Sequence, residues 1–308
     1  MARRDGADRP PAVPLLRRAL NSAAFRSGPV ARAIVRALPA APRRRELPPA
    51  TFRLLCVSGR RHLPLLRESL RTLLASWTAL PELLVVSDGS MAPDDLARAL
   101  SFWPAPLATR SRDDVAARAR ALGVPLVDAF AAISGFGAKF AAIVTSALER
   151  PTLFVDADVL WFRDFSAEVA ALAAERGEVV LRVSEDFQRA YDEDVLAAMG
   201  EPLAEPPFVN SGVVFLRGDL LHAVDLSAGL VPASRRPHPF AEQTLLALAA
   251  RRLQAPLLAQ SLVACQVSDS QSLLITYRGR PWHARHYVGP VRHLFWRDAL
   301  GLRLRVPA

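Results

Sequence analysis

Two carboxylates stand one residue apart where an apolar run ends: Leu153-Phe154-Val155 leads into Asp156-Ala157-Asp158. The run reads as a buried strand. At a strand's exit from a sheet, the i, i+2 spacing lets both side chains turn toward one point. Hard divalent cations such as Mg²⁺ and Mn²⁺ take oxygen ligands of this kind and share them with phosphates. Without a cation or a solvent-facing crevice the two charges would repel, and desolvating them would be costly.

Scarcity points to further residues. Of the 39 basic residues only one is a lysine, Lys139, 17 positions before Asp156. Lysine is mostly a surface residue, so the competing reading is a solvated helix position. A role in the chemistry predicts that Lys139→Ala lowers turnover without changing stability. Asparagine occurs only at Asn21 and Asn210. Asn210 opens the polar knot Asn210-Ser211-Gly212 inside the apolar run 208–216. Near the C-terminus, 285–296 holds two of the six histidines. There His286 offers a neutral imidazole to a metal. Gly289 would let backbone approach a phosphate, and Arg292 could clamp one.

The elements that must position these groups alternate. Strands are expected at 53–58, 82–87 and 106–109, then at the run before Asp156, and at 178–183 and 212–217. Helices are expected at 63–77, 93–101, 112–121, 137–149, 166–176, 190–199 and 240–252. Alternating strands and helices predict an α/β fold, a mainly parallel central sheet with helices on both faces. Ligands of such sheets bind at the carboxyl ends of the strands. Ser58, Asp88 and Asp156 all fall at such ends.

Length permits a sizeable core, and no stretch reaches the ~20 apolar residues of a membrane span. Cys56 and Cys265 are too few for a disulfide framework and read as buried thiols of a cytoplasmic protein. The charge is uneven. Residues 1–50 hold eleven Arg against Asp5, Asp8 and Glu46, a net of +8, so the total of +9 leaves +1 for the rest. The basic character therefore belongs to a Pro- and Ala-rich leader, partly disordered or amphipathic, with weak helical period at 15–20 and 30–38. Such a leader can rest on anionic lipid at the inner membrane face, and its charge alone predicts that it is dispensable for folding and chemistry. With one aromatic, Phe25, and no base-reading motif, it gives no case for nucleic acid.

In this order the pieces resemble a nucleotide-sugar glycosyltransferase of the GT-A fold, closest in pattern to glycosyltransferase family 8. The resemblance covers roughly 51–296. It rests on Lys139, Asp156-x-Asp158, Asn210-Ser211-Gly212, the Glu242-Gln243 pair opening a helix, and His286-x-x-Gly289-x-x-Arg292. It implies one domain over 51–308, with a nucleotide-binding half (51–158) and a sugar and acceptor half (159–308). Asp156, Asp158 and His286 would hold Mn²⁺ or Mg²⁺. Ser58 and Asp88 would contact the nucleoside, and Gly289 and Arg292 the β-phosphate. Lys139 would neutralise the donor or fix the carboxylates. Asn210 and Gln243 would line the sugar and its reacting face.

The implied reaction is metal-dependent transfer from a nucleotide-sugar donor, a UDP-sugar by analogy, to an unknown acceptor (glycan, lipid or protein), with retention of configuration. Three departures stand out. The terminal motif continues His293-Leu294-Phe295-Trp296 where the family has Pro-Trp, and it carries Arg292 for the family's lysine. The helix opens with Glu242 for Asp. The first strand ends in Ser58-Gly59-Arg60, which leaves the nucleobase contacts open. Two rival readings share the acidic pair: a haloacid-dehalogenase-type phosphatase, which needs a downstream lysine this chain lacks, and a non-catalytic sugar-nucleotide-binding protein.

Overall fold

The structure is a computed structural model and describes residues 15–38, 46–265 and 277–304. Within the leader, 1–14 and 39–45 lie outside the described residues. Helix α1 (Leu15–Ala37) precedes β1 (Pro49–Ser58), α2 (Leu63–Ser76), β2 (Leu80–Ser87), α3 (Pro93–Ala99) and β3 (Leu107–Arg110). Helices α4 (Arg112–Ala121), α5 (Pro125–Ile133) and α6 (Gly135–Glu149) lead to β4 (Thr152–Val155) and β5 (Val159–Trp161). Then come α7 (Ser166–Ala174), β6 (Val180–Asp186), α8 (Glu193–Met199) and β7 (Phe208–Arg217). Helices α9 (Leu220–Ala223), α10 (Ser227–Ala233) and α11 (Ala241–Arg252) follow. The short strands β8 (Val263–Ala264) and β9 (Ala284–His286), a 3₁₀ turn (Gly289–Leu294) and α12 (Phe295–Arg303) complete the fold.

The main sheet has the order β3-β2-β1-β4-β7-β6. The first four strands are mutually parallel, and β7 runs antiparallel to both β4 and β6. Side chains alternate between its two faces, as the pleat requires. Leu55, Leu84, Val86 and Phe154 pack with α4, α5, α6 and α11. Leu54, Cys56, Leu83, Val85, Leu153 and Val155 pack with α2, α12 and the small sheet. Both faces are covered, which is why the strands read as unbroken apolar runs. Both cysteines are buried free thiols, as expected.

Two features of register build the site. First, Asp156-Ala157-Asp158 is the crossing from the main sheet to a second sheet of order β5-β9-β8. Strand β5 pairs antiparallel with β9, Val159 opposite His286, and Tyr287 N donates to Asp158 O at 2.9 Å. The motif and the distant histidine are thus neighbours by strand pairing. Second, β7 changes partners. Val214 pairs with Val183, but Asn210 pairs with Ser184, so three extra residues sit on β7. That bulge turns Ser211 and Gly212 toward β4, where Gly212 O accepts the Asp156 N–H at 2.8 Å. Bulges commonly re-aim side chains in this way.

Helices α5, α9, α10 and α12 escape the sequence reading. Pro125–Ile133 is apolar almost throughout, so periodicity does not mark it. Helix α10 carries Pro232 inside it, and that proline reads as a loop signal. In the leader, the two weakly periodic stretches form one helix, α1.

Candidate active site

Each helix that reaches the acidic pair does so for a local reason. Ser134 caps α6, its Oγ accepting the Gly137 N–H at 2.9 Å. A side-chain oxygen at this position satisfies one of the helix's orphan donors. Lys139 follows one turn later, buried. Its Nζ lies 2.8 Å from Glu242 Oε1, 3.3 Å from Asp156 Oδ2 and 3.2 Å from Ser211 Oγ. An ammonium has three donors, so these acceptors use all of them. Burial opposes the Lys139 charge, but Asp156 and Glu242 more than offset it and raise its pKa. Burial raises the Glu242 pKa against the pull of Lys139. Glu242 Oε2 has no partner among the described residues. Lys139 is therefore no solvated surface residue.

Asp156, Asp158 and His286 form the core of the site. One ligand atom from each lies within 4.8 Å of the other two. His286 Nε2 is 3.1 Å from Asp158 Oδ1 and 3.6 Å from Asp156 Oδ2. Arg292 reaches Asp158 Oδ2 with Nε at 2.8 Å and Nη2 at 2.6 Å. Burial would raise the Asp158 pKa. His286 and Arg292 overcome it and hold the carboxylate well below its ordinary range.

The proton on His286 can be placed from its neighbours. Asn210 Nδ2 donates to Asp186 Oδ2 at 3.1 Å, and Asn210 Oδ1 accepts the Gly212 N–H at 2.8 Å. The amide orientation is thereby fixed. Its Oδ1 also lies 2.8 Å from His286 Nδ1, which must donate to it. Nε2 then meets the carboxylates in one of two ways: with a second proton it donates to Asp158 Oδ1 at 3.1 Å, and without one it turns a lone pair toward both, which only a cation between them makes favourable. Metal-ligating histidines are oriented in this way by a partner on the other nitrogen. Two carboxylates and an imidazole suit Mn²⁺ or Mg²⁺. Lys139 and Arg292 supply two positive charges against Asp156, Asp158 and Glu242, so the local sum also favours a cation. The donor set fits the ion.

Gly212 makes the ring position possible. A Cβ there would overlap His286 Cε1 and Nδ1. Gly59 plays the same part at the end of β1, where a Cβ would overlap the Asp88 carboxylate. Asp88 Oδ1 accepts from Ser90 N at 2.9 Å and Ser90 Oγ at 2.6 Å, which closes the loop after β2. Ser58 is buried beside this loop, and its Oγ has no partner among the described residues. Strand order puts the ends of β2, β1 and β4 side by side, so Ser58, Asp88 and Asp156 share one edge.

Gln243 is nearly buried and its amide is engaged at both ends. Nε2 donates to Ala190 O at 2.8 Å, and Oε1 accepts the Ser211 N–H at 3.2 Å. Gly289 is exposed at the start of the 3₁₀ turn, with φ +39°. The structure thus gathers Lys139, Asp156, Asp158, Asn210, Gln243, His286 and Arg292 into one bonded network. Asp186, Ser211 and Glu242 complete it, though spacing alone assigns them no part. Their signal is adjacency: each flanks a singled-out residue or ends a strand beside one.

No family profile and no curated protein matches the chain. Among solved structures it is similar to mouse xyloside xylosyltransferase 1 in its apo form, at 12% identity and TM-score 0.54, over 76% of this chain and 97% of that one. It is similar to the galactosyltransferase LgtC in complex with donor and acceptor sugar analogs, at 14% identity and TM-score 0.52, over 82% of this chain and 97% of that one. The bifunctional glycosyltransferase WbbM in its apo form matches at 11% identity and TM-score 0.54, over 86% of this chain and 51% of that one. At these identities the likeness is one of architecture, and the chain has the GT-A fold of these sugar transferases.

Proposed function

We propose that the protein transfers a sugar from a nucleoside diphosphate donor to a glycan, lipid or protein acceptor, with help from a divalent cation. The observation that carries this reading is the His286 tautomer. Its Nδ1 proton is committed to Asn210, so Nε2 faces Asp156 and Asp158 as a third ligand. Asp156, Asp158 and His286 would hold Mn²⁺ or Mg²⁺, which stabilises negative charge as it develops on the departing diphosphate.

The chain's own residues complete the work. Lys139 holds Asp156 and Glu242 in place; with its three donors used, it serves the carboxylates and not the donor phosphates. Arg292 is 43% exposed along its side chain, although it is bonded to Asp158. It can swing one edge of its guanidinium to a phosphate, with Gly289 leaving room for the approach. Ser58 Oγ and the Asp88 loop face the nucleoside, a UDP moiety by the resemblance. Asn210 and Gln243 border the sugar.

The carboxylates Asp156, Asp158 and Glu242 are each held in ion pairs, Asp186 accepts from Asn210 Nδ2 and from the Phe187 and Gln188 N–H groups, and the Gln243 amide is tied to backbone. That leaves no ready acceptor-side base within the cluster and supports retention. A screen of nucleotide sugars for Mn²⁺-dependent hydrolysis tests the proposal. Turnover lost in Asp158→Ala supports it. Metal-dependent donor binding without turnover of any donor, with or without added sugar acceptors, would sink the enzymatic reading and leave a binding module.

A further inference from the structure

Helix α1 has two faces, and only one is covered. Ala24, Gly28, Ala31 and Val35 recur every three or four residues and are buried. This stripe lies on α12 and the 3₁₀ turn. Phe25 meets the His293 ring at 5.9 Å, and Arg32 sits 5.6 Å from the centre of the Trp296 ring.

The rest of the helix surface carries an unusual mixture. Among the described residues, the three most exposed large apolar side chains are Phe25 (68%), Leu304 (61%) and Val30 (59%). Two lie on α1, and the third ends α12, the helix it packs on. Ile34, one turn after Val30, is exposed as well. Arg26, Arg32 and Arg36 are interleaved with them and exposed, and α1 contains no acidic residue. None of the three forms an ion pair with a described carboxylate. On α12, by contrast, Arg297 and Arg303 hold Asp298 and Glu68. Exposed aliphatic side chains gain nothing from water, and arginines without carboxylate partners attract anions, so this surface suits a partner that is both apolar and anionic.

We propose that the outer face of α1 lies on an anionic phospholipid surface. Charge complementarity selects this occupant. Arginines neutralise phosphate headgroups while Val30 and Ile34, one turn apart on the same side of the helix, enter the boundary between headgroups and acyl chains, and long basic side chains keep their heads at that level. Nucleic acid would match the charge and leave the apolar side chains unpartnered. The helix lies on the membrane and does not cross it, since no described helix is long and apolar enough to span one. Because α1 rests on the turn that carries Arg292, the docked protein would hold its active-site arm close to the lipid.

The test is sedimentation of the full chain with vesicles. One set is an equimolar mixture of phosphatidylglycerol and phosphatidylcholine, and the other is phosphatidylcholine alone. The protein should pellet with the mixed vesicles and stay in solution with the neutral ones. The charge-reversed pair Arg26→Glu/Arg36→Glu should weaken binding by at least about tenfold, and Val30→Ser/Ile34→Ser should also weaken it. Both variants alter exposed positions, and unchanged melting temperatures confirm that they fold. Equal binding to neutral vesicles, or binding to neither, overturns the proposal, as does binding that neither variant changes. A dimer in sedimentation equilibrium that Val30→Ser/Ile34→Ser converts to monomer also overturns it, by showing that a second copy covers the face. None of these outcomes depends on whether the protein transfers a sugar.

Discussion

Asn210 Oδ1 lies 2.8 Å from His286 Nδ1 and accepts the Gly212 N–H at the same distance. This pairing decides what the imidazole offers to the acidic pair. With its second nitrogen donating to an amide oxygen, His286 can present only a lone pair or a second proton to Asp156 and Asp158. A residue 76 positions away therefore sets what His286 can offer to a cation.

Asn210→Leu keeps the volume and removes that acceptor. Loss of a hydrogen-bond partner behind a metal ligand typically costs about 10–100-fold in affinity. Calorimetric titration with Mn²⁺ alone should show a decrease of that order, with Asp156 and Asp158 intact. A lowered melting temperature with unchanged Mn²⁺ affinity would mean that Asn210 only stabilises the bulge.

Gly212→Ala addresses the same ring from the other side. The added methyl would overlap the imidazole, so either the ring or the bulge must move. Overpacking of this kind costs about 1–3 kcal/mol. The expected result is modest destabilisation by urea titration, together with a larger loss of Mn²⁺ affinity than Asn210→Leu produces. Wild-type affinity in Gly212→Ala would show that His286 is not held where the structure places it.

Much of this site was legible because rare residue types occupied it. A single lysine and one of two asparagines mark α6 and β7, and strand ends mark Ser58, Asp88 and Asp156. Partnership was not legible. Spacing says that Asp156 and Asp158 can converge, but only the β5–β9 register brings His286 to them from 128 positions away. The three extra residues on β7 were invisible as well, because a bulge leaves the apolar pattern of a doubly covered strand unchanged. Helix α5 is silent for a related reason: an almost wholly apolar segment has no period to read.

Lys139 is the clearest case where burial changes an expectation. A purely functional role predicts that Lys139→Ala leaves stability alone. The structure instead buries its ammonium among Glu242, Asp156 and Ser211. Removing one partner of a buried ion pair costs about 3–5 kcal/mol, because the remaining charge is left uncompensated. Lys139→Ala should lose stability of that order in denaturant titration, along with activity. Lys139→Met/Glu242→Gln, which removes both charges, should recover part of the stability and none of the activity. Equal stability of wild type and Lys139→Ala would contradict the buried network.

The leader gives the last prediction. Charge distribution alone predicts a dispensable tail, but α1 shares an apolar cluster with the segment that carries Arg292. Ala24 and Val35 are buried together with Val291, Leu294, Phe295 and Ala299. Burying Val35 alone is worth roughly 1.5–3 kcal/mol, and deletion also exposes the partners it covers. A chain lacking residues 1–38 should therefore unfold at lower temperature than the full chain. The loss should centre on the C-terminal segment, since α1 touches the 3₁₀ turn between His286 and α12. Hydrogen exchange should report faster amide exchange in 286–304 than in β1 or β4, and nucleoside diphosphate affinity should fall with it. If the truncated protein matches the full chain in melting temperature, exchange and donor affinity, α1 is only an appendage, and its one remaining use is the face it turns outward.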